Sequence, residues 1–184
     1  AQHGAKWVVA CDISRRMLEV AREKNAHPSV EYRQVAFEDA QFPEGSFDVA
    51  LCSLMLHYLA SYEEFLDAMR RWLCPGGTLI YTVEHPIFTA QGPQDWCYGP
   101  DGEILHFPVD HYFEEGERDA VFLGEHVVKY HRTLTTYLDG LARHGFCLER
   151  VVEPQPTPEM VRDIPGMADE LRRPMMLIVR AERR

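Results

Sequence analysis

The sequence lacks an apolar run approaching the roughly 18 to 20 residues that a membrane-spanning helix needs, and its first residues show no charged segment followed by an apolar one, so neither a bilayer span nor an export signal is expected. It also lacks any C-x-x-C pair: its five cysteines, Cys11, Cys52, Cys74, Cys97 and Cys147, are odd in number and widely spaced. That spacing argues against a disulfide framework and a zinc knuckle, and it fits a reducing cytoplasm. Positive charge is scarce, with 19 lysines and arginines against 29 acids and a net charge of −10. A nucleic acid or an anionic membrane is therefore not the expected partner, and a small molecule is. The nine histidines do not form a metal pattern: His106 with His111 and His126 with His131 stand five apart, which shares a face of neither a helix nor a strand, so no metal is expected.

What is present is an alternation of apolar runs and helical patterns. In a chain of 184 residues, 46% of them hydrophobic, this suits one domain with a sizeable core. KWVVAC (6–11) reads as a strand buried on both faces and ends at Asp12. SRRMLEVAREKNA follows as an amphipathic helix capped by Ser14, with Met17, Leu18 and Ala21 on one face. VEYRQVA (30–36) and FDVALCSLML (47–56) read as strands, EEFLDAMRRWL (63–73) as a helix stopped by Pro75-Gly76-Gly77, and TLIYTVEH (78–85) as a further strand. A helix at 133–145, a strand at 146–153, a proline-rich connection at 154–158 and a last strand, PMMLIVRAE, complete the pattern. Strands and helices in this order imply a mainly parallel, doubly wound sheet. Between about 87 and 131 the periodicity lapses into glycines, prolines and aromatics, which reads as an inserted lid; exposed apolar area there would serve either closure over a substrate or a homodimer. The opening AQHGAK reads as the last turn of a helix closed by Gly4.

In such a sheet the ligand crevice lies beyond the carboxyl ends of the strands. The candidates there are Asp12, Glu38, the mouth residues Ser53, Leu54 and His57, and the rim Glu84, His85 and Pro86. Each has a plainer use. Asp12 serves equally as a turn former or helix cap, Glu38 as a surface acid and His57 as a packed ring beside Tyr58. A charged pair ending a buried strand, Glu84 and His85, must be solvated, paired or used.

The succession VVACDIS, MLEVAREKN, EYRQVAFEDAQFPEGSFDVALCSLMLHYL and WLCPGGTLIYTVEHP resembles the class I S-adenosylmethionine-dependent methyltransferases of the small-molecule type, the methyltransferase type 11-like group, along the whole chain. The resemblance implies a Rossmann-like sheet of order 3-2-1-4-5-7-6 with an antiparallel last strand. It also implies S-adenosyl-L-methionine as cofactor, held by Asp12 and Ile13 at the ribose, by Ala36, Phe37 and Glu38 around the adenine, and by Ser53 and Leu54 below. The family's first strand and its G-x-G-x-G loop have no counterpart in the sequence, which makes a preceding segment of about 40 residues expected on the usual size of such elements. SLMLHYL, TVEHPIFTA and VVKYHRTLTTYLDGL are similar to toxoflavin-type azapteridine N-methyltransferases. The function so implied is methyl transfer to N or O of a small planar or aromatic metabolite, with His85 and His131 as catalytic bases and His57, Glu84, Tyr130, Trp96 and Tyr112 on the substrate. Two alternatives stand beside it: a non-catalytic methyltransferase-like module, and a nicotinamide-dependent dehydrogenase fragment, which also places an acid after its second strand.

Overall fold

A computed structural model of the chain describes every residue except Gln2, His3 and Leu123, so the middle of the AQHGAK turn lies outside the described residues. The chain divides into two compact units, Ala1–Phe42 and Pro43–Arg184.

The first unit pairs β1 (Val8–Asp12) in parallel with β2 (Val30–Gln34) across α1 (Arg15–Asn25). Ser14 caps α1 by accepting from the Met17 N–H at 3.3 Å. Leu18 is the buried residue of the helix, whereas Met17, placed on the apolar face by the sequence pattern, is 59% exposed. Spacing alone does not tell which apolar positions find a partner. Asp12 is the last residue of the strand and not the first of the loop.

The second unit is built on a four-stranded sheet of order β3-β4-β10-β9. Here β3 is Phe47–Ser53, β4 Leu73–Glu84, β9 Phe146–Val152 and β10 Met176–Arg183. β3 and β4 run parallel, and β10 is antiparallel to both β4 and β9. This is the 4-5-7-6 end of the expected order, antiparallel strand included. The connection from β3 to β4 is α2 (Tyr62–Trp72), capped by Ser61, whose hydroxyl accepts from the Glu64 N–H at 3.1 Å. Its Phe65, Leu66, Met69 and Trp72 are buried. The Pro75-Gly76-Gly77 turn, expected between helix and strand, is an irregularity within β4, where pairing jumps from Phe47–Leu73 to Val49–Thr78. Glycine is required at 77 because a Cβ there would lie 2.8 Å from the Cys74 carbonyl oxygen.

Under the sheet, α4 (Leu134–Arg143) meets α2 at Gly140, where a Cβ would press on the Tyr62 ring at 3.0 Å. The Tyr62 and Tyr81 hydroxyls lie 3.1 Å apart and both donate to the Tyr137 carbonyl, at 2.9 and 3.3 Å. These buried phenols are thereby satisfied, as core polar groups must be.

The segment read as an irregular lid carries regular structure: α3 (Pro86–Thr89), the pair β5 (Cys97–Tyr98) and β6 (Ile104–His106), and the hairpin β7 (Gly116–Phe122) with β8 (Glu125–His131). Arg118 gathers its loops by donating to the carbonyls of Ala90, His111 and Glu114. The proline-rich stretch 154–158 leads into a short helix, α5 (Pro158–Asp163), and a 3-10 turn at Asp169–Arg172 follows. Among the described residues no helix is long and apolar enough to cross a membrane, and no group of three or more histidines, cysteines or acids is placed to hold a metal ion.

Candidate active site

In the first unit, the carboxyl end of β1 places Asp12, half-buried, with one carboxylate oxygen accepting from the Ser14 N–H at 2.7 Å. Both the structural and the binding use of this residue are thus open to it: Oδ1 shapes the turn into α1, and Oδ2 has no partner among the described residues. Ile13 beside it is 72% exposed. Ala36, Phe37 and Glu38 lie on a turn closed by Asp39 N to Ala36 O and Ala40 N to Phe37 O, with Glu38 exposed.

In the second unit the carboxyl ends of β3 and β4 lie side by side. Ser53 Oγ and Thr82 Oγ1 are 3.3 Å apart, and the Leu54 N–H donates to both the Thr82 carbonyl, at 2.9 Å, and its hydroxyl, at 3.1 Å. Leu54 is held at φ +53°, a left-handed conformation that a branched side chain adopts at a cost of about 1–3 kcal/mol and that gathers at functional sites. The short turn Leu56–Tyr58 follows. Arg132 is buried and donates to the carbonyls of Leu56, Leu59 and Ala60, pinning that turn.

The pinned turn presents His57. The residue is 2% exposed, its ring 4.4 Å from that of Tyr58, and its Nδ1 faces the main-chain N–H of Glu84 at 3.4 Å. Because a main-chain N–H only donates, Nδ1 is the acceptor and the ring proton sits on Nε2. Burial, helped by the Lys129 and Arg132 cations against the pull of Glu84, lowers the His57 pKa to about 4, so the ring is neutral at pH 7.

Glu84 is committed from both oxygens. Oε1 receives the Lys129 ammonium at 2.7 Å and Oε2 the Gln94 amide at 2.8 Å, while Lys129 also donates to Gln94 Oε1 at 2.8 Å. A substrate contact through this carboxylate, as expected from its place on the rim, would have to displace one of these partners.

The two histidines expected to be bases are engaged inside the protein. His85 accepts from the Ile87 N–H as the cap of α3, and its Nε2 lies 2.9 Å from Glu153 Oε1. His131 pairs Nδ1 with the Thr89 hydroxyl and Nε2 with the Tyr112 carbonyl, both at 2.8 Å. Burial lowers the pKa of each.

The lid aromatics expected on the substrate do not gather at one point. Tyr112 packs edge-on to His131 and its hydroxyl accepts from the Leu134 N–H. Tyr130 donates to Glu117. Trp96 meets Phe107 edge-on and lies over the guanidiniums of Arg172 and Arg173. Beside it a cleft of about 340 Å³ is lined by Ile87, His106, Phe107, Val109, Pro174 and the two arginines.

Lys129, Gln94 and Arg132 were not among the expected site residues. The signal for Lys129 is its position: in VVKYH it falls on the face that carries Ala120 and His131 inward, where a lysine must find an acid.

A family model described as a methyltransferase domain matches residues 1–81. The whole chain superposes, at a TM-score of 0.94 and 47% identity, on 82% of a Listeria monocytogenes protein assigned as an S-adenosylmethionine-dependent methyltransferase. Over 99% of its length it superposes on 83% of one from Mesorhizobium loti, at 0.88 and 37%. The 1,6-didemethyltoxoflavin-N1-methyltransferase of Burkholderia thailandensis shares the fold alone, at 16% identity and a TM-score of 0.59 over 99% of this chain and 63% of that one. With the strand order, the strand-end carboxylate and these likenesses together, the chain belongs to the class I S-adenosylmethionine-dependent methyltransferases of the small-molecule type, with S-adenosylmethionine as its methyl donor.

Proposed function

We propose that the protein methylates a nitrogen or oxygen atom of a small planar metabolite, and that the acceptor is received at the rim of β3 and β4. The observation that supports this most is His57: a buried, neutral imidazole at the strand ends, held through Nδ1 and keeping an Nε2–H that no described residue engages. S-adenosylmethionine supplies a sulfonium methyl group, electrophilic enough that the protein's task is alignment of the acceptor more than activation.

The residues present fit such a cofactor. Asp12 keeps one carboxylate oxygen without a partner at a strand end, the chemistry that receives ribose hydroxyls; exposed Ile13 and the turn at Ala36, Phe37 and Glu38 give the nucleoside apolar and main-chain contacts. The chain's own work is then positional. His57 donates from Nε2 to the acceptor molecule, Tyr58 stands against it, and the lid excludes water. His85 and His131 hold α3 and the lid hairpin to the rim, and act through that placement.

The test is calorimetric titration with S-adenosylhomocysteine, followed by transfer of labelled methyl from S-adenosylmethionine to a panel of planar N- and O-nucleophiles. Binding by the unaltered protein is expected to weaken about tenfold in Asp12→Ala, the size of one lost charge-assisted hydrogen bond. His57→Phe should leave that affinity alone and lower turnover of whichever acceptor is methylated. Failure of every planar acceptor alongside normal cofactor binding would overturn the substrate reading, and an unchanged affinity in Asp12→Ala would remove that residue from the account.

A further inference from the structure

The triangle of Glu84, Lys129 and Gln94 is not accounted for by binding of cofactor or acceptor. Its three sides, 2.7, 2.8 and 2.8 Å, are all hydrogen bonds, and Lys129 at its centre is 1% exposed. The three residues come from different places: Glu84 ends β4, Lys129 lies on β8, and Gln94 stands in the lid loop at φ +54°, a conformation that costs a non-glycine residue energy. Glutamine is held against that cost by using its amide from both ends, as donor to the acid and as acceptor from the ammonium.

The main-chain N–H of Glu84 is the group that meets His57 Nδ1. Glu84 also stands at the last register position of β10 and β4, opposite Met176. The next main-chain N–H, of His85, still donates to the Met175 carbonyl at 2.8 Å, and the Glu84 side chain adds a second tie, to Lys129 and Gln94.

We infer that Lys129 and Gln94 are positioning residues: by holding Glu84 from both carboxylate oxygens, they keep its main-chain N–H on His57 and so fix His57 as a neutral Nε2–H donor only while the lid is seated. The inference rests on the proposed role of His57, although its central observable does not. The charged groups facing His57 are Glu84 from β4, Lys129 from β8 and Arg132 just beyond it, with the Tyr58 ring tilted against the imidazole at 4.4 Å. Two cations and one anion disfavour an imidazolium; without Lys129 the balance is even, and the ring protonates more readily.

The experiment is long-range nitrogen-15 NMR of the histidine side chains in the full chain, without substrate. In the unaltered protein His57 is expected to show the Nε2–H pattern throughout pH 6 to 8. In Lys129→Met the pattern should broaden toward a mixture of tautomers and its protonation midpoint should rise, with turnover falling about tenfold while the affinity for S-adenosylhomocysteine stays within twofold. Gln94→Leu, which leaves the ion pair in place, should broaden the tautomer pattern without that rise in midpoint. This second variant carries the test if Lys129→Met does not fold. An Nδ1–H pattern in the unaltered protein, or an unchanged Nε2–H pattern in either folded variant, overturns the inference. A confirmed tautomer response in a protein that methylates none of the planar acceptors leaves the positioning intact and removes only the substrate reading.

Discussion

His131 donates from one ring nitrogen and accepts at the other, and this double use decides how it behaves. With Nε2–H aimed at the Tyr112 carbonyl and Nδ1 taking the Thr89 hydroxyl, the imidazole is neutral and fully satisfied, and it joins β8 to α3 and to the lid loop. His131→Phe keeps the volume but takes the acceptor from the Thr89 hydroxyl, which retains only a 3.5 Å contact to the Pro86 carbonyl, and the donor from the Tyr112 carbonyl, so a loss of about 2 kcal/mol is expected in urea denaturation. A retained midpoint would show that both groups find substitutes. The sequence made His131 and His85 conspicuous because histidine is chemically versatile, but residue type carries no record of what lies opposite each nitrogen. The partners come from 42 and 19 positions away in the case of His131. Lys129 shows the converse: it drew no notice in a segment without sequence periodicity, and both its inward face and its acid, 45 positions away, come from the folded chain.

At the scale of elements, short-range chemistry determined most of the outcome. Ser14, Ser61 and Thr133 each cap the helix that follows by accepting from an N–H three residues on. Such signals are local, and they place α1, α2 and α4 within a residue or two of expectation. Ser61→Ala removes the acceptor for the Glu64 N–H, and a stability loss of about 1 kcal/mol is expected from the thermal midpoint; no change would mean that solvent satisfies that N–H equally well. The misplacements have equally local causes. The Pro75-Gly76-Gly77 turn reads as a break, yet the chain has already joined β3 at Leu73, so strand pairing absorbs the irregularity as a register shift. In the lid, short hairpins with mixed polarity lack the periodicity that marks longer elements. Their alternation emerges once the inward set Ala120, Lys129 and His131 is known to be buried.

On the scale of the whole molecule, buried neutral histidines couple the fold to pH. His57 has its pKa lowered to about 4, and burial lowers those of His85 and His131 as well. An unfolded chain, with ordinary histidine values near 6.5, binds protons over a range where the native state does not. The stabilisation from these groups is therefore complete above about pH 6.5 and is lost as the pH falls toward 4, with His57 alone accounting for about 3 kcal/mol. Denaturation midpoints measured from pH 7.5 down to 4.5 should fall steadily, and His57→Phe should flatten the curve; equal slopes in both proteins would show that His57 is solvated in the native state. Apolar periodicity, caps and turn residues, all readable within a few positions, determined the longer elements outside 86–131, their order and the class of sheet, because those helices and strands bury stripes that neighbours in sequence define. The tertiary structure alone decided that His57 keeps an uncommitted nitrogen at the strand ends, that Glu84 is tied by Lys129 and Gln94, and that His131 is held from both ring nitrogens. Hydrogen-bond partners and desolvation depend on which distant residues share a buried space, and that is settled only in the folded chain.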